Sequence, residues 1–277
     1  MPPAFTTALP VPFASATVSY AQCTVYGVQR SLVSAVVKAG GKSWYFLTAD
    51  YAFGHALQND TANVVKASGG TVAGAVRHPL SASDFSSFLL QAQASKADIL
   101  GLANAGGDTI NAVKAANEFG ITKKMKLAGL LVFINDVHSL GLKNTQGMYI
   151  TDSWYWNQNA DTRAWSRKFF EKFKRMPSSL QAADYSAALN YLKAVKAIGS
   201  DDGDKVLAQM RKTPVNDVFT KNGTIRADGR LVHDMYLMQV KTPEQSKEPW
   251  DYYNVVETIK GEAAWTTKAE SKCELWK

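Results

Sequence analysis

The sequence predicts an α/β protein built around a parallel sheet, and three observations carry that reading. Short apolar runs of strand length alternate with longer amphipathic segments roughly every 25–30 residues from Lys42 onward. The helix-like segments stop at glycines, as at Gly69-Gly70 and Gly120. Hydrophobic residues make up 46% of the 277-residue chain and charged residues 20%, the balance of an ordinary folded domain.

The elements follow in order. Ser43 to Thr48 is a run rich in aromatics and reads as a buried strand. After the loop Asp50 to Gly54, residues His55 to Ser68 place Leu57, Val64 and Val65 on one side of a helix. Thr71 to Val76 is the next strand, and Ser83 or Asp84 can cap a helix through Ser95. Asp98 to Ala103 is a strand; Gly106-Gly107-Asp108 opens a helix ending at Gly120; Lys126 to Phe133 is another strand. The pattern changes after Gly147. A strand, Met148 to Ser153, runs into Trp154-Tyr155-Trp156, and helices follow over Asp161 to Arg175, Leu180 to Ile198 and Asp201 to Arg211. From Phe219 the chain reads as antiparallel strands, with Ala227-Asp228-Gly229 as a hairpin turn and a last strand over Trp250 to Ile259. The helical stretch has one strand before it and needs a sheet to pack on. Its apolar residues, including Trp165, Phe169, Phe170, Tyr185, Leu189 and Leu192, are therefore expected to be exposed.

Several function classes lack their signatures. Gly41-Lys42-Ser43 resembles the end of a phosphate-binding loop, but Val36 stands where its first glycine belongs, and a strand follows rather than a helix. Gly101 to Gly107 is not a dinucleotide fingerprint, and no G-x-S-x-G nucleophile motif occurs. His55, His78, His138 and His233 are scattered and read as surface or loop histidines, neither ligands nor bases. No cofactor or metal is expected, and no enzyme. The net charge of +7 is spread along the chain without a concentrated basic face, which argues against nucleic acid. No apolar run reaches the roughly 20 residues that span a bilayer. Met1 to Gln22 is an irregular start: its Ala14-Ser15-Ala16 has no basic residue before it, and Pro10 and Pro12 interrupt the apolar part, so it is a poor secretory signal. Cys23 and Cys273 are the only cysteines, either two free thiols or a bridge between the chain ends.

What remains is a set of aromatic and polar residues beyond strand C-termini, where parallel sheets bind ligands. Asp50, Tyr51 and Phe53 follow the first strand, Asn104 and Asp108 the third, and Phe133 to Asp136 the fourth. The helix starts near Gly54 and Asp108 offer backbone N–H groups to an anionic group.

The run Tyr45 to Leu57, Y-F-L-T-A-D-Y-A-F-G-H-A-L, resembles the type I periplasmic binding proteins of branched-chain amino acid importers. The similarity continues through Arg77 to Leu80, Asp84 to Asp98, Ala103 to Thr109, Asn117 to Ile121 and Gly223 to Arg230. The resemblance implies two Rossmann-like lobes joined by three crossing strands and closing on a small solute, with the second lobe complete and the first only partial, as in an N-terminally truncated member. It implies an irregular segment over 1–23, a second-lobe core over 24–150, the helical part of the first lobe over 151–218, and crossing strands with a tail over 219–277. It implies ligand contacts at Tyr51, Phe53, Asn104, Asp108 and Phe133, with Trp154 and Tyr155 near the cleft. The ligand would be a branched-chain amino acid or a related aliphatic or aromatic carboxylate or amide, delivered to the permease of an ABC transporter in the periplasm. An oxidising periplasm would favour the Cys23–Cys273 bridge. The same fold also serves ligand sensors of receptors and regulators, and an α/β hydrolase is a third, weaker reading.

Overall fold

The computed structural model describes residues 32–34, 36–38, 40–265 and 267–269. The chain divides into two compact units. The sheet unit holds the described residues up to Asp152 together with Met235–Ile259, and the helical unit holds Ser153–Asp234 with the described residues from Lys260 on. The tail beyond residue 218 is thus shared between the units rather than belonging to one. Cys23 and Cys273 lie outside the described residues.

The sheet unit opens with β1 (Ser43–Ala49), α1 (Ala52–Ala67), β2 (Thr71–His78), α2 (Ser86–Ala94), β3 (Ile99–Ala103), α3 (Gly106–Glu118) and β4 (Lys126–Gly129). Two short helices, α4 (Ile134–Leu140) and α5 (Leu142–Thr145), precede β5 (Tyr149–Asp152). The expected fourth strand is cut short: Leu130 to Phe133 leave the sheet and lead into α4, which periodicity over an apolar run does not distinguish from a longer strand. The later strands β8 (Met235–Val240) and β9 (Tyr253–Ile259) return to complete a seven-stranded sheet of order β2-β1-β3-β4-β5-β8-β9. The first five are parallel and the last two antiparallel.

Position in the sheet explains composition. β1 lies between β2 and β3 and is buried on both faces, so it is mainly apolar, and its buried Thr48 hydroxyl donates to Gln58 at 2.7 Å. Edge strand β2 alternates between exposed and partly buried positions until its final residue, His78. Its register slips by one residue opposite Trp44 and Tyr45. The slip is at Gly74, whose φ is 156° and whose Cβ, if present, would lie 2.8 Å from the Tyr45 ring. The core under the sheet joins Leu32, Val33, Val36 and Val37 to Trp44, Phe46, Leu57, Val65 and Ile99. In α1, Leu57, Thr61 and Val65 recur at four-residue spacing and form its buried face.

The link between β8 and β9 is stitched rather than loose. Lys241 pairs with buried Asp251 at 2.7 Å, and Asp251 also accepts the Lys247 N–H. Trp250 takes a left-handed backbone, φ 73°, and its ring lies flat on His138 at 3.8 Å and 7°. The Tyr252 hydroxyl meets His138 Nδ1 at 2.7 Å, completing a stack that ties α4 to this link.

The helical unit contains α6 (Ala160–Phe173), α7 (Ser179–Ile198), α8 (Gly203–Lys212) and the short hairpin β6 (Thr224–Ile225) and β7 (Leu231–Val232). Each helix start is satisfied by a side chain: Asn159 accepts from Thr162 N, Ser178 from Leu180 N and Asp202 from Lys205 N. Gln181 reaches back to the Ser178 N–H, closing a capping box. The D-G turn forms as expected, held by the buried Arg226–Asp228 pair at 2.7 Å. The expected second arm of this hairpin breaks at His233-Asp234, after which β8 joins the large sheet. Along α6 and α7, Trp165, Phe169, Phe173 and Tyr185 form a run of ring contacts. Phe173, Tyr185 and Leu192 are exposed, while Trp165, Phe169, Phe170 and Leu189 are partly buried.

Candidate functional site

The parallel strands of the sheet unit all end on one edge, and the loops leaving that edge carry the sheet-unit residues singled out in the sequence. β1 and β3 pair in parallel with Thr48 beside Ala103, so the loops after Ala49 and after Ala103 emerge side by side. The first loop is pinned by backbone: Asp50 N–H donates to His78 O at 2.8 Å. The Asp50 carboxylate meets His55 Nε2 at 2.7 Å and lies 3.8 Å from Arg77 Nη1. Tyr51 precedes α1 in extended backbone, and its ring lies 5.9 Å from that of Phe53. Both rings are partly buried. Gly54 explains the D-x-x-x-G spacing. A Cβ there would lie 2.1 Å from Ala49 O and 3.4 Å from Ala103 O, so the first turn of α1 rests directly on two strand ends.

The second loop is built differently. Asn104 is fully buried, and its amide is engaged within the protein: Nδ2 meets His78 Nε2 at 3.1 Å and Oδ1 accepts from Thr109 Oγ1 at 2.7 Å. Asp108, in the first turn of α3, accepts the Ser81 N–H at 3.2 Å, where it also complements the positive end of the helix. Phe133 caps α4; its N–H donates to the Asp136 carboxylate at 2.9 Å. Burial raises the Asp136 pKa, and that hydrogen bond opposes the rise.

Trp154 and Tyr155 belong to the helical unit, and both are buried. Trp154 donates from Nε1 to Val218 O at 2.9 Å and meets Trp165 edge-on at 5.7 Å. Tyr155 meets Trp156 edge-on at 6.0 Å. These contacts pack both rings within that unit.

The histidines divide, against expectation. His78 and His233 are buried, whereas His55 is partly buried and His138 exposed. The sequence pattern ends the second strand at Val76 and leaves His78 in a loop; its partner Asn104, 26 positions on, and Asn104's partner Thr109 carry no spacing signal that would have linked them.

A cavity of about 300 Å³ lies at the opposite edge, at the N-terminal ends of β4 and β5, lined by Asn117, Lys126, Lys143, Asn144, Met148 and Gln239 among others. It stands beside the C-terminal ends of α3 and α5, where helix carbonyls rather than N–H groups are presented. Among the described residues no group of three or more His, Cys, Asp or Glu stands close enough to hold a metal ion, and no helix is long and apolar enough to cross a membrane.

The model of the periplasmic binding protein family matches residues 7–247. The chain belongs to that family. A periplasmic binding protein from Burkholderia mallei is similar over 94% of this chain and 72% of its own, with 63% identity and a TM-score of 0.88. A branched-chain amino acid ABC transporter periplasmic ligand-binding protein from Burkholderia xenovorans is 42% identical over 91% of this chain and 68% of its own, with a TM-score of 0.84. The same fold, at 20% identity and a TM-score of 0.75, occurs in an ABC transporter solute-binding protein from Rhodopseudomonas palustris, over 89% of this chain and 67% of that one. No curated protein sequence matched. Type I periplasmic binding proteins are substrate-binding proteins, not enzymes, and the mostly parallel sheet is theirs.

Proposed function

We propose that this periplasmic binding protein takes up a branched-chain amino acid or a related aliphatic or aromatic acid at the strand-end edge of its sheet unit, in the periplasm, and hands it to the permease of an ABC importer. The observation that carries the reading is the partly buried Tyr51–Phe53 pair beside the N-terminal turns of α1 and α3. Backbone N–H groups at two helix starts suit a carboxylate, and the paired rings suit an apolar body. The Burkholderia xenovorans relative is the ligand-binding protein of a branched-chain amino acid transporter, which supports an amino acid. The Rhodopseudomonas palustris protein was solved with 3,4-dihydroxybenzoic acid, which supports an aromatic one.

Calorimetric titration with L-leucine, benzoate and 3,4-dihydroxybenzoate tests this. The expected result is saturable binding of at least one acid, recovered chemically unchanged, and weakened by Tyr51→Ala. Conversion of the acid, or an affinity indifferent to both Tyr51→Ala and Phe53→Ala, overturns it.

A further inference from the structure

Three buried side chains behind the strand-end edge form one directional chain of hydrogen bonds, and each link dictates the next. His78, Asn104 and Thr109 are all wholly buried. His78 Nδ1 lies 2.9 Å from Pro79 O, which can only accept, so Nδ1 carries the proton. In a neutral ring Nε2 is then an acceptor, and the Asn104 amide must present its NH₂ at 3.1 Å. That leaves Asn104 Oδ1 to accept from the Thr109 hydroxyl at 2.7 Å. The Pro79 carbonyl thereby fixes the ring tautomer, the amide orientation and the hydroxyl direction in turn.

The chain joins three pieces of backbone that periodicity does not connect. Thr109 belongs to the first turns of α3, Asn104 directly follows β3, and His78 ends β2. The backbone oxygen of His78 also accepts the Asp50 N–H, so the loop bearing Tyr51 and Phe53 hangs on the same residue. Phe85 closes the imidazole edge-on at 4.9 Å, and Phe88 stands 6.2 Å away. A second tie, Asp108 Oδ2 to Ser81 N–H, bridges the same two loops outside the buried chain.

We infer that His78, Asn104 and Thr109 are positioning residues for solute binding: Asn104 acts through the loops it holds and does not touch the ligand. The inference rests on the strand-end reading of the site. It differs from that reading in where the affinity comes from, because Asn104 is wholly buried and its amide is engaged at both ends inside the protein, so turning it outward would break the chain.

The test uses Thr109→Val, which keeps the shape and removes the hydroxyl, Thr109→Ser, which keeps the hydroxyl, Asn104→Ala, and the double variant Thr109→Val/Asn104→Ala, each titrated with whichever of leucine, benzoate or 3,4-dihydroxybenzoate binds the parent. Thr109→Val and Asn104→Ala are each expected to weaken binding about tenfold, Thr109→Ser to stay within about twofold, and the double variant to fall no further than Asn104→Ala. A loss in Asn104→Ala with none in Thr109→Val would place Asn104 on the ligand and overturn the inference. So would unchanged affinity in both variants with a lowered melting temperature, since the chain would then only hold the fold. Hydrogen exchange separates this from failure of the site itself. If no acid binds the parent, the strand-end reading falls. The chain is then judged on whether Thr109→Val, and not Thr109→Ser, speeds exchange of the Ser81 amide and of the first turn of α3; unchanged exchange overturns it.

Discussion

Two pairs of aromatic residues directly follow strands in this chain, and they are used in opposite ways. Tyr51 and Phe53 follow β1 and remain partly exposed, tilted against each other beside a glycine that lets α1 sit on the strand ends. Trp154 and Tyr155 follow β5 and are buried, with the indole N–H given to Val218 O and the rings packed edge-on against Trp165 and Trp156. The difference lies in what comes next. After β1 the chain turns at once into a helix that covers the sheet, so the rings stay at the rim. After β5 it passes into the helical unit, where both rings are packed against other aromatic residues and buried. A ring at a strand end is therefore a candidate contact only when the following element does not enclose it.

The sharpest way to break this contrast is Trp154→Ala. Emptying a buried indole site is expected to destabilise by about 3–5 kcal/mol, read from the urea midpoint; a loss as small as that of a surface substitution would return Trp154 to the candidate contacts. Next comes acid. Burial depresses the His233 pKa to about 4, against weaker raising effects of Asp234. Its folded value lies below its unfolded value near 6.5, so above that both states are neutral and nothing is at stake. As pH falls from about 6.5 to 4 the unfolded chain takes up a proton that the native helical unit does not, and stability is lost by up to about 3 kcal/mol. Unfolding free energies at pH 7 and pH 4, with the imidazole followed by NMR, check it; a ring that titrates normally refutes it. Gly54→Ala should cost about 1–3 kcal/mol, because the added Cβ has Ala49 O in its place and the first turn of α1 must shift. It should also weaken solute binding by moving Tyr51 and Phe53, and an unchanged dissociation constant would separate the turn from the site. The smallest effect on stability belongs to Tyr51→Ala and Phe53→Ala, within about 1 kcal/mol of the parent, coupled to a clear loss of affinity. A large fall in melting temperature with affinity intact would make them core residues after all.

The sheet was legible because strand and helix periods differ and because each β1-like run is apolar on both faces. Where the reading failed, the local pattern was ambiguous. Lys126 to Phe133 reads as one strand because Leu127 to Phe133 is continuously apolar, yet the sheet uses only Lys126–Gly129, and Leu130 to Phe133 turn away toward α4. Leu231 to Val240 looked like one long hairpin arm because β7 and β8 are separated by only His233 and Asp234, although they join different sheets. At the candidate edge, the loops after β1 and β3 could be named from sequence, since strand ends in parallel sheets coincide. The role of Asn104 could not, because its partner His78 reaches it across 26 positions and only the pairing of β1 with both β2 and β3 brings them together.

The flat stack of Trp250 on His138 has an optical consequence. Of the seven tryptophans in the chain, Trp250 lies 3.8 Å from an imidazole, close to parallel with it. A protonated imidazole quenches indole emission on contact, whereas a neutral one does so far less. Burial holds the His138 pKa below its ordinary value, so the ring is neutral at pH 7 and charges only on the acid side of its usual range. Part of the intrinsic fluorescence should therefore fade with acidification while the protein remains folded, and Trp250→Phe should remove that part. The left-handed backbone at Trp250 holds the two rings in register and makes this corner of the sheet unit a built-in reporter of local proton activity.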